Sequence, residues 1–128
     1  MPFFQNSGIS RSALTAALIV GTAGAAEPAP FVASLEKPYA ALMDDAMNVM
    51  NAGMMQAPMN GDPDHDFAAM MVPHHQGAVD MAKAELLYGK NPVLRRLAQE
   101  IIVTQGQEIR VMQGELQKKS APLSVHPQ

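Results

Sequence analysis

Apolar residues return every three or four positions along three stretches of this chain: Tyr39 to about Met55, about Pro63 to Tyr88, and Pro92 to about Lys118. That period predicts three amphipathic helices. Nowhere do β-branched residues alternate with polar ones long enough to predict a strand. Start and stop signals agree with the three stretches. Pro38 suits a first helical turn. Ala57-Pro-Met-Asn-Gly-Asp-Pro63 reads as a loop, with Asp62 or Asp64 capping the second helix and Asp64 and Asp66 in its first turn. Gly89 is a plausible stop, and Asn91-Pro92 reads as N-cap followed by N1. The expected fold is all-α: a small antiparallel, ferritin-like bundle of three main helices. An unfilled face of the third helix could recruit a second subunit, so a homodimer of four or six helices stays open.

The residues outside the helices divide the rest of the chain. Residues 1–26 run from a polar stretch with Arg11, through the apolar Ser12 to Val20, to the small residues Gly21-Thr-Ala-Gly-Ala-Ala26. Ala23-x-Ala25 and Gly24-x-Ala26 both suit signal peptidase, so a cleaved secretory signal and a periplasmic location are expected. The apolar run is shorter than the about 20 residues a bilayer span needs, so no membrane anchor is expected. Residues 27–37, opening on Glu27-Pro-Ala-Pro30, read as an extended linker. The helical domain then covers 38–119, and 120–128 read as a frayed tail.

Composition narrows the chemistry. Nine Lys and Arg face twelve Asp and Glu, for a net charge of −3. Without a basic footprint, nucleic acid is not an expected partner. The absence of Cys rules out disulfides, iron–sulfur sites and thiol catalysis. Eleven Met occur in 128 residues, ten of them between Met43 and Met112. Met43, Met47, Met50 and Met54 fall within about 60° on the first helix at about 100° per residue. Two readings stand for this row: Met is a flexible core filler, or the thioethers line up as additional metal ligands.

The second helix carries more. Asp66, Met70, His74, Gly77, Met81 and Glu85 share one strip, and Phe67, Met71, His75, Ala78, Ala82 and Leu86 share the next. Met70/His74 and Met71/His75 are i,i+4 pairs whose side chains can reach one ion. Pro73 lacks an N–H and crowds the carbonyl of Ala69, so a kink beside both His is expected, or else a second helix start. On the third helix, Leu94, Ala98, Ile101, Ile102, Gln105, Ile109, Met112 and Leu116 form the expected core stripe. A buried Gln105 needs a partner, and an imidazole N–H would serve. Glu108 could do the same, and Asp66 is a further outer-shell candidate. Thioether and imidazole together suit Cu(I), and by the same logic Ag(I). Hard cations would need carboxylate clusters, and a closed zinc site would need four Cys or His.

Phe67-x-x-Met70-Met71-Val-Pro-His74-His75-Gln-Gly77-Ala78-Val-Asp-Met81-Ala82 resembles the signature of the CopM-like family, long catalogued as a domain of unknown function. Leu97-Ala-x-x-Ile101-Ile-x-x-Gln105-x-x-Glu108-Ile109-x-x-Met112 resembles its second block. The resemblance, over about residues 40–118, implies an exported ferritin-like bundle that binds copper and serves copper resistance. It implies metal ligands at Met70, Met71, His74, His75, Met81 and Met112, with Cu(I), and Cu(II) as an open alternative, as the ion. A periplasmic copper exporter or another copper carrier is the expected partner. No catalytic constellation can be read, so the chain is not expected to be an enzyme. Two other functions compete. One is an extracytoplasmic adaptor or chaperone with an adaptable Met-rich surface; the other is a small metal-dependent oxidase.

Overall fold

In the computed structural model, which describes residues 27–120, three helices account for nearly all regular structure: α1 Tyr39–Met55, α2 Pro63–Tyr88 and α3 Pro92–Ser120. The secretory signal expected over 1–26 lies outside the described residues, as does the tail expected over 120–128 apart from Ser120, which is the last residue of α3. Helix α3 ends two residues beyond the expected Lys118. No helix among the described residues is long and apolar enough to cross a membrane.

Side-chain chemistry explains the helix ends. Asp62 is extended and its carboxylate accepts from the Asp64 N–H at 3.0 Å, with Pro63 supplying the first turn of α2. Asn91 caps α3, its Oδ1 accepting from the N–H of Val93 at 2.9 Å and of Leu94 at 3.3 Å. Gly89 stops α2 in an extended conformation, φ −65°, rather than the left-handed one its residue type permits. The Arg95 guanidinium then takes the carbonyls of Leu86 and Gly89, at 2.7 and 2.9 Å, placing a cation at the negative end of α2. Helix α2 runs unbroken through Pro73, so the second-start alternative does not apply.

Helix α2 is the centre of the molecule. It packs against both neighbours, while α1 and α3 do not pack on each other. Facing residues run in opposite senses. Gly53 meets Pro73 and Met50 meets Gly77, which makes α1 and α2 antiparallel. His75 meets Glu108 while Ala78 and Met81 share a groove with Leu97 and Ile101, so α2 and α3 are antiparallel too. The bundle is therefore open on the side where α1 would have met α3. Its core is narrow and rich in small residues: Leu42, Ala46 and Met50 of α1; Ala68, Ala69, Val79, Ala82 and Ala84 of α2; Ala98 and Ile109 of α3. Small residues let helix axes approach closely, and they leave larger apolar groups such as Phe67, Leu97 and Val111 at the surface.

Residues 27–37 run along α1 and α2. Gln56 Nε2 donates to Glu27 Oε1 at 2.7 Å, Lys83 Nζ lies 6.0 Å from the Phe31 ring centre, and Lys37 pairs with Asp45 at 2.6 Å. The Tyr88 hydroxyl fastens the far end by donating to the carbonyls of Leu35 and Lys37. Asp80, buried on α2, accepts from Gln76 and Lys83, both at 3.0 Å. Tyr88→Phe is expected to lower stability by about 1 kcal/mol, the value of a typical hydrogen bond. Limited proteolysis should then cut 27–37 faster than in the parent; equal rates would show that the hydroxyl does not hold the segment.

Candidate metal centre

The face of α2 that meets α3 places Met71 one turn before His75. Across from them, α3 presents Thr104, Glu108, Val111 and Met112 at its own one-turn spacings. Together with Phe67 and Gln107 these residues line a cleft of about 540 Å³. Three of the expected ligands thus share one site: Met71, His75 and Met112. Their convergence comes from the antiparallel pairing, since Met112 is far from Met71 along the chain.

His75 is fixed in this cleft. Its Nε2 lies 2.9 Å from Glu108 Oε2, and its side chain is mostly buried. Its Nδ1 is buried and has no hydrogen-bond partner. The Gln105 Oε1 is likewise buried and without a partner. The imidazole expected to satisfy Gln105 goes to Glu108 instead, because Glu108 sits one turn further along α3 and off the core stripe, at the cleft. His74 is exposed, with its ring 5.9 Å from that of His75 in an edge-on arrangement.

The remaining sulfurs separate by helical phase. Met50 is buried at 9% exposure, its side chain filling the space that a Cβ on Gly77 would occupy. For this member of the row, that contact supports the core-filler reading. Met43 and Met81 line a second, mostly apolar groove between α1 and α3, with Leu94, Leu97, Ile101 and Glu85. Met70 and His74 share the α2 strip of Met81, between the faces taken by α1 and α3. Met47 and Met54 are partly exposed on the same edge of α1 as Met43. Two sulfur-bearing regions therefore lie along α2, and among the described residues the α2–α3 cleft is the one that sets two thioethers beside a buried imidazole.

Asp66 is not an outer-shell group for these His. Its carboxylate accepts from the N–H of Asn60 at 2.8 Å and of Gly61 at 3.0 Å and pairs with His65 Nδ1 at 3.2 Å, which closes the α1–α2 loop. Gly61 in that loop has φ +86°, a conformation that favours glycine. The Asn60 amide, followed by the His65 ring and the Gly61 amide, holds the Asp66 carboxyl below its ordinary 3.8. A depressed carboxyl pKa stabilises the fold fully above the unfolded value and loses that contribution as pH falls through the folded one. The Asp66 side chain, followed by NMR, should titrate with a midpoint below 3.8, and a midpoint at or above it would contradict these contacts.

His65 was not anticipated as a site residue. Its side chain is as buried as that of His75 and lines an adjoining cleft of about 310 Å³ with Phe67, Val111 and Met112. Its spacing of three residues to the buried Ala68 is the signal that could have placed it. Met112 borders both clefts.

Among the described residues no three His, Asp or Glu side chains group as a metal site. The donors at the α2–α3 cleft are two thioethers, one imidazole nitrogen and the Glu108 carboxylate; with that carboxylate engaged on the imidazole, the remaining set fits a soft monovalent cation better than a hard one. The family model described as Domain of unknown function (DUF305) matches residues 25–116. No curated protein matches the chain.

Proposed function

The chain belongs to the DUF305 family, and from that premise we propose that it is an exported, CopM-like copper-binding protein. It holds Cu(I), and Ag(I) in its place, for buffering, resistance or transfer to a copper exporter or carrier. The reading rests on one observation: Met71, Met112 and His75 line the same cleft, with Glu108 on the imidazole. Thioethers carry no proton and form no disulfides, so they suit capture of a soft ion in an oxidising compartment. The charged, apolar and small-residue order of residues 1–26 supports export to the periplasm with cleavage of that segment. Metal capture needs no catalytic group, and we assign none.

A competition titration tests the reading. The chain from Glu27 onward should withdraw Cu(I) from a chromogenic chelator and should prefer it to Zn²⁺. A protein that takes no Cu(I) from a weak chelator is not a copper carrier. The adaptor reading has its own support in the apolar α3 surface of Val93, Leu97, Val103 and Val111, each at least 49% exposed. It predicts binding of apolar peptides without any effect of Cu(I).

A further inference from the structure

We propose that Glu108 is a positioning residue that commits His75 to bind the metal through Nδ1. The inference rests on the copper reading and adds which nitrogen is the ligand and what selects it. An ionised carboxylate can only accept, so at 2.9 Å from Glu108 Oε2 the ring must donate from Nε2. A neutral imidazole carries one hydrogen, and placing it on Nε2 leaves Nδ1 with a bare lone pair. The opposite tautomer would aim an Nε2 lone pair at a carboxylate and bury an unpaired Nδ1–H.

The surroundings of Nδ1 fit that assignment. It is buried and no donor reaches it. Buried acceptors are normally satisfied, and a bare, buried nitrogen lone pair suits an electropositive partner. Gln105 Oε1, on the facing helix, is a second buried acceptor without a hydrogen-bond partner. Met71, one turn before His75, and Met112, across the interface, line the cleft beside the ring. A soft cation bonds to nitrogen and thioether sulfur in preference to an amide oxygen, and Gln105 does not line this cleft, so it is not assigned as a ligand. Among the described residues His74 is paired with no carboxylate; it is exposed and meets only the neighbouring ring. His75 is therefore the pre-oriented member of the pair, and the first ion enters at His75.

Silver provides the test, because Ag(I) is diamagnetic and its nuclei couple to a bound nitrogen. In ¹⁵N-labelled protein from Glu27 onward, long-range proton–nitrogen spectra should show His75 as the Nε2–H tautomer before metal is added. Added Ag(I) should shift Nδ1, show silver coupling on it, and leave the Nε2–H in place. Glu108→Gln keeps an acceptor oxygen and should keep this pattern. Glu108→Ala should spread silver over both nitrogens and weaken binding by about 10- to 100-fold, the usual effect of losing a group that orients a metal-bound His. Silver on Nε2 in the parent would overturn the proposal, as would Glu108→Ala with unchanged affinity and pattern. Uptake of Ag(I) with no change at either ring nitrogen would overturn it and leave a thioether site standing, whereas no uptake at all would remove the copper reading as well. Should Glu108→Ala fail to fold by circular dichroism, the parent and Glu108→Gln spectra still decide.

Discussion

Gly53→Ala is expected to destabilise the protein by about 1–3 kcal/mol, the usual cost of overpacking a filled interface. A Cβ at position 53 would stand 2.6 Å from the Cβ of Pro73. The proline ring cannot rotate away, so the backbones of α1 and α2 must part. The helix-propensity gain of Ala over Gly, roughly 0.5–1 kcal/mol, is too small to offset this. Gly106→Ala provides the control, because nothing lies within 4 Å of its Cβ on α3. That variant should be unchanged or more stable by up to about 1 kcal/mol. Urea unfolding of both variants settles the comparison, and equal shifts would mean that α1 and α2 do not meet at this point.

The second large effect is on metal affinity. His75→Ala and Met71→Leu should each weaken Cu(I) binding by on the order of tenfold or more, since losing a ligand costs at least as much as losing a group that orients one. Leu keeps the volume of Met, so the stability cost of Met71→Leu should stay under about 1.5 kcal/mol. Combining the two should give less than the sum of the separate losses if both side chains hold one ion. Met112→Leu should behave like Met71→Leu although it lies on another helix. Met43→Leu and Met81→Leu, at the other groove, should act independently of His75→Ala. Chelator competition gives all of these values, and additive losses for Met71 with His75 would mean that no common ion joins them.

The helices were legible because their signals are local. Asp62-Pro63 and Asn91-Pro92 announce helix starts, and apolar spacing carries each helix to its end. What depended on a partner helix was less legible. The row Met43, Met47, Met50 and Met54 is a single line on α1, yet only Met50 faces Gly77, a fact fixed by where α2 sits. Gln105 lies nearer the centre of the α3 stripe than Glu108, so it was the natural partner for an imidazole. The register of α2 against α3 gives His75 to Glu108 instead. Asp66 lies on the α2 strip that carries Met70 and His74, but the tight loop at Asn60 and Gly61 takes its carboxylate. An unfilled face of α3 could be anticipated, but that it lies on the side of α1 could not, because periodicity shows that a helix has an apolar face and not which neighbour covers it. The family resemblance implied six ligands, Met70, Met71, His74, His75, Met81 and Met112; that Met71, His75 and Met112 share one cleft follows from the antiparallel packing of α2 and α3.

X-ray absorption on the Cu(I)-loaded protein tests the central claim most directly, since it identifies the atoms bound to copper. The α2–α3 cleft predicts a first shell with thioether sulfur and imidazole nitrogen together. The sulfur contribution should fall in Met71→Leu and in Met112→Leu, and the nitrogen contribution in His75→Ala. A first shell of nitrogen and oxygen alone, unchanged by either Leu substitution, would contradict the assignment of this cleft as a copper site.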